Sequence, residues 1–117
     1  MEVLQAYRDL RVWREAMTLA EMCYGLTRDF PRDELYGLTS QTRRASVSIA
    51  ANIAEGYGRE STGSYIQFLR IAQGSCKELE THVMLSERVL GVDGAKVLEQ
   101  SETVGKMLRG LIKSLQE

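Results

Sequence analysis

The chain has 117 residues, 44% hydrophobic and 26% charged, with a net charge of −1. These values exclude a disordered chain. They also exclude a protein that is basic all over and neutralises phosphate with its whole surface. A single proline argues against a turn-rich sandwich or barrel and in favour of long helices.

A first helix is expected over 10–29, where Val12, Ala16, Leu19, Cys23 and Leu26 recur at spacings of four and three and Phe30 continues the stripe. Pro31 stops it, because proline disfavours helical geometry in the residue before it. A second helix is expected over 33–57, opened by the acidic pair Asp33-Glu34 at the positive end of its dipole. Its inner stripe is Leu38, Thr42, Ala45, Ile49, Ile53 and Gly56, and Gly56-Tyr57-Gly58 supplies a left-handed C-cap. A third helix spans 62–90 through Leu69, Ala72, Cys76, Leu79, Val83, Ser86 and Leu90, with Ser61 or Thr62 as N-cap and Gly91 as the terminating glycine. A fourth spans 94–116 after an Asp93 N-cap, with Val97, Ser101, Val104, Leu108, Leu111 and Leu115 inside. Connections of about two to five residues place neighbours antiparallel. The expected fold is all-α: one up-down-up-down four-helix-bundle domain over 1–117, a rod roughly 30–40 Å long. Gly74, inside a well-patterned helix, reads as a point of close backbone approach.

Cys23 and Cys76 sit within apolar patterns and read as buried free thiols, with a disulfide as the alternative. There is no CxxC and no Cys/His cluster, so neither metal nor cofactor is expected. No apolar run approaches the ~18 residues of a membrane span, and the N-terminus does not read as a signal peptide. The expectation is a reduced, cytoplasmic protein with no membrane partner.

Charge is unevenly placed. Ten residues between Arg44 and Glu55 carry none, and from Ser61 to Cys76 the only charge is Arg70. At average usage, about two or three charges would fall in the first stretch alone. A helix apolar or small nearly all round is buried on more than one side. A four-helix monomer has no second layer to cover it, so a second subunit is expected over helices two and three. A neutral but solvated Ala/Ser face is the alternative.

Gln41, Arg44, Ser48, Asn52 and Glu55 form a polar line beside that apolar stripe, with Arg44 within reach of Ser48 and Asn52 of Glu55. The line orients subunits, builds a ligand or RNA site around Arg43 and Arg44, or is an ordinary solvated face. Chemistry is harder to find. His82 is the lone histidine and has no metal motif around it, Ser46 and Ser48 lack a nucleophile elbow, and Gly56-Tyr57-Gly58 follows a helix rather than a strand. Trp13, Tyr24, Tyr65 and Phe68 read as core or interface aromatics.

Asp9-Leu10-Arg11-Val12-Trp13, Phe30-Pro31, Tyr36-Gly37-Leu38, the run from Gln41 to Gly56, Phe68 to Ser75 and Glu78-Leu79-Glu80 together resemble the proteins encoded in 23S rRNA intervening sequences. The resemblance implies a four-helix bundle assembled as a cyclic homopentamer. It also implies kinship to the accessory protein of diversity-generating retroelements, which works with a reverse transcriptase and its RNA. The signature positions it marks are Gln41, Arg43, Arg44, Ser48, Asn52, Glu55 and Gly56, with no catalytic residue and no cofactor. The function expected is a non-enzymatic oligomeric scaffold or adaptor that engages RNA or a nucleic-acid enzyme through a local basic patch. Arg11, Arg14, Arg43, Arg44 and Arg59 are the candidates for that patch. A protein-only interaction module is the first alternative, and a small-molecule or enzymatic role in a cavity the second.

Overall fold

The computed structural model describes residues 4–117, which form an all-α bundle 45 Å long and 24 by 21 Å across. The long helices are α1 (Arg11–Thr27), α2 (Ser40–Tyr57), α3 (Thr62–Leu90) and α4 (Ala95–Gln116). α1 packs on α2 and α4, and α3 packs on α2 and α4, in the antiparallel order that the short connections dictate. The bundle is longer than the expected rod because α3 alone has 29 residues, about 44 Å at 1.5 Å each.

The helix ends follow local chemistry. Asp9 accepts from the backbone N–H groups of Gln5 and Ala6 at 2.9 and 3.1 Å, which winds a 3₁₀ turn at Tyr7–Asp9 ahead of α1. α1 ends at Thr27, two residues short of expectation, as the backbone tightens into turns before Pro31. Ser61 caps α3, its hydroxyl accepting from Ser64 N at 3.1 Å. Gly91 closes α3 in the left-handed conformation, φ +71°, with its N–H donating to Glu87 O. The cap of α4 lies one residue later than expected, at Gly94. Asp93 still accepts from Ala95 N at 3.0 Å, and Glu87 accepts from Gly94 N at 3.0 Å.

The second segment departs most from expectation. It is not one α-helix from residue 33 but a 3₁₀ turn (Arg32–Glu34), a π-helical turn (Leu35–Thr39) and then α2. The break falls at Gly37, whose φ −110° and ψ −114° are not helical. Glu34 turns back to accept from Leu38 N at 3.0 Å. At the far end Gly58 stays right-handed, so the expected left-handed cap does not form there.

The expected stripes meet in one core. Leu19, Cys23, Ile49, Ile53, Leu69, Leu79, Val83, Val104 and Leu108 are all fully buried. In α4 the inner position near the C-terminus is Ile112, while Leu111 and Leu115 are only half-buried. Both cysteines are free buried thiols, as their apolar setting implies. Glycine corrects one expectation. A Cβ on Gly74 would meet nothing within 4 Å, whereas one on Gly56 would lie 2.7 Å from Phe68 Cβ. The close approach between α2 and α3 is therefore at Gly56, which stands inside the helix rather than capping it. Among the described residues, no helix is long and apolar enough to cross a membrane.

Candidate functional site

The uncharged run of α2 has two sides. Ala45, Ser46, Ile49, Ala50 and Ile53 are buried, while Val47 and Ala51 are exposed and Ala54 is half-exposed. Val47, Ala50, Ala51 and Ala54 form one wall of an open groove of about 750 Å³ between α2 and α1. Trp13, Met17 and Tyr24 form the facing wall, with Glu21 and Arg28 at the rim. Tyr7 packs edge-on against Trp13, with ring centroids 5.2 Å apart, and extends the apolar lining. Small residues on α2 opposite large ones on α1 leave a concave apolar face.

The polar line of α2 divides into parts. Ser48 bonds across to Ser75 of α3, Oγ to Oγ at 2.9 Å. Asn52 donates to Ser48 O at 2.8 Å and to Ser48 Oγ at 3.0 Å. These three residues form one polar clasp in the α2–α3 seam. Arg44 and Gln41 stay exposed, and Glu55 pairs with Arg59 at 3.2 Å rather than with Asn52. Arg43 turns the other way. Its Nε donates to Thr27 Oγ1 at 2.8 Å and its guanidinium lies 4.5 Å from the Tyr24 ring centroid, tying α2 to the end of α1. Gly56 sits under Phe68 and Tyr65, in the seam.

The sequence pattern of the 23S rRNA-intervening sequence protein family matches residues 8–110. The chain belongs to this family. The fold is similar to a solved one: a crystal structure of a protein of unknown function from the S23 ribosomal protein family of Bacteroides thetaiotaomicron superposes with a TM-score of 0.77 at 23% identity. The match covers 87% of this chain and 98% of that one. No curated protein matches the chain.

Within this family member, the seven signature positions do not converge on one pocket. Ser48, Asn52 and Gly56 hold the α2–α3 seam, Arg43 holds the α1–α2 seam, and Gln41, Arg44 and Glu55 face outward. Several of the arginines expected to make a patch are tied to their own neighbours. Arg14 donates to Arg8 O at 3.1 Å near the start of α1, and Arg59 pairs with Glu55 and lies over Phe68.

A different set of basic residues does converge. Arg70 and Lys77 of α3 and Arg109 of α4 line a groove of about 460 Å³ together with Gly74 and Gly105. These residues stand 39 positions apart in sequence at Arg70 and Arg109, and only the antiparallel pairing of α3 and α4 brings them together. Their i, i+7 spacing within α3 was the one signal available beforehand.

Burial decides the reactivity of the remaining groups. Desolvation pushes the Cys23 thiol up to about 12 and the Cys76 thiol up to about 11, against a smaller opposing hydrogen bond from Ser46 and Ser101 respectively. Both stay protonated and inert near neutral pH. His82 is half-buried, and its Nε2 and the hydroxyl of Thr42 are buried without a hydrogen-bond partner. No group of three His, Cys, Asp or Glu residues is placed to hold a metal among the described residues.

Proposed function

We propose that this family member is a non-enzymatic scaffold or adaptor that assembles as a cyclic homo-oligomer, with five subunits as its family resemblance implies, and associates with RNA or an RNA-bound enzyme. The observation that carries this reading is the open apolar groove behind the uncharged run of α2. Trp13, Met17, Tyr24 and Val47 contribute to a contiguous apolar surface of the kind that marks a protein interface.

A second apolar surface on the same protomer supports a ring rather than a two-fold dimer. Leu85 and Val89 of α3, one helical turn apart on the same face, are 45% and 59% exposed. A groove on one side and a ridge on another favour head-to-tail contact, which closes into a ring when the rotation permits. The inert thiols and the half-buried lone histidine support a non-enzymatic role. Light scattering at micromolar concentration tests the assembly: a ring scatters as a multiple of 13.2 kDa, and a 13.2 kDa particle overturns the reading. RNA association predicts co-purifying RNA whose affinity falls steeply with salt.

A further inference from the structure

We propose that the groove between α3 and α4 is the site where this protein grips the phosphate backbone of an RNA strand. The inference rests on the RNA association proposed above and locates it on residues outside the signature run. Arg70 and Arg109 are exposed, reach the groove from opposite helices, and form no hydrogen bond or ion pair among the described residues. Lys77 stands one face down from Arg70, about 10 Å along α3 at 1.5 Å per residue. Lys106 lies in the contiguous stretch beyond.

The carboxylates of this face are Glu80 and Glu102, and both lie at the far end. Glu80 accepts from Ser101 Oγ at 2.7 Å and pairs with Lys77 at 3.3 Å, while Glu102 pairs with Lys106 at 3.4 Å. The end lined by Arg70, Gln73 and Arg109 has no carboxylate. In a chain of net charge −1 this is a local excess of positive charge with its cations uncommitted.

The glycines of the groove carry a second, independent signal. Gly74 and Gly105 both lie inside helices and both line the groove. Internal glycine weakens a helix relative to alanine. Packing within the protomer does not require it at either place, since a Cβ on either would meet nothing within 4 Å. What the two glycines provide is room: neither places a side chain in the groove that Arg70 and Arg109 line. A phosphodiester strand fits that shape and charge, its phosphates accepting charge-assisted hydrogen bonds from the unpaired Arg70 and Arg109.

The test measures binding of a fluorescein-labelled oligouridylate and a labelled rRNA hairpin across a salt series, using the full chain. The double variant Arg70→Gln/Arg109→Gln is expected to lose at least tenfold in affinity at low salt. Its slope of log K against log salt flattens by about 1.4 on the single strand, roughly 0.7 for each lost phosphate contact. Gly105→Leu, which fills the groove and leaves every charge in place, is expected to lose a similar factor. Arg11→Gln/Arg14→Gln removes the same charge elsewhere and should lose much less. If the wild type binds and both double variants weaken it equally, or Gly105→Leu binds as the wild type does, the groove is the wrong place while RNA association stands. If the wild type binds neither RNA at low salt, RNA association fails and the groove proposal falls with it.

Discussion

Two seams of the same bundle use glycine in opposite ways. Between α2 and α3, Gly56 lets the helices close until Phe68 Cβ lies 2.7 Å from where a Cβ on the glycine would be, and Ser48, Asn52 and Ser75 form a clasp in the same seam. Between α3 and α4, Gly74 and Gly105 face open space and line a groove with Arg70 and Arg109. Glycine therefore marks a filled seam in one case and a vacant surface in the other. The residue type alone does not distinguish a packing role from a binding one; the atoms opposite it do.

The sharpest way to break the contrast between filled and open surfaces is within α2 itself. Ile49 is fully buried, and Ile49→Ala is expected to cost about 2–5 kcal/mol in urea unfolding. Val47, 46% exposed two residues earlier, should change the unfolding of a dilute monomer by less than about 0.5 kcal/mol when cut to alanine. An equal cost at the two positions would mean that Val47 is covered even in the monomer.

Ala51→Glu places a carboxylate on the apolar wall of the α1–α2 groove. If a second subunit covers that wall, the buried charge should weaken assembly by about 3 kcal/mol, more than a hundredfold. Analytical ultracentrifugation should then find mainly monomer at concentrations where the wild type is assembled. Unchanged sedimentation would remove this wall from the interface.

The buried thiols sharpen the contrast through pH. Each releases its proton near 9.0 when unfolded, but only near 12 (Cys23) or 11 (Cys76) when folded. The folded state therefore holds more protons above pH 9, and stability falls as pH rises. Their contribution is complete below pH 9 and is lost as pH climbs through the folded values. Between pH 8 and pH 10 the two thiols together should remove roughly 2–3 kcal/mol, and Cys23→Ala/Cys76→Ala should flatten that part of the profile.

The glycine pair gives the smallest effects and a change of sign. Gly56→Ala should destabilise by about 1–3 kcal/mol, because Phe68 must move. Gly74→Ala should stabilise the protomer by about 0.5–1 kcal/mol, since it gains helix propensity and touches nothing. Thermal unfolding of the two variants side by side measures both.

Most of the fold was legible in the chain because helical burial repeats at 3.6 residues and ends at residues with known backbone preferences. Val12 to Cys23, Thr42 to Ile53 and Leu69 to Ser86 all face inward as their spacing implies, and Ser61 and Gly91 cap α3. The second segment departs from its spacing at Gly37, which breaks the helix without interrupting the apolar period. The candidate site was less legible. Arg43 lies beside Arg44 in sequence, yet it is spent on Thr27 and Tyr24 of another helix, which no spacing rule within α2 records.

By itself, then, the sequence determined an all-α chain, its four helices, the inward face of each, its family and the charge-free run on α2. Those properties depend on neighbours within about a turn of helix, or on a pattern carried along the chain. Only the tertiary structure decided that this run opens onto an apolar groove, that Gly56 rather than Gly74 is the tight contact, and that Arg70 and Arg109 share one groove. Each of these depends on which residues of a different helix stand opposite, and the register of one helix against another is set by the packing of the whole core.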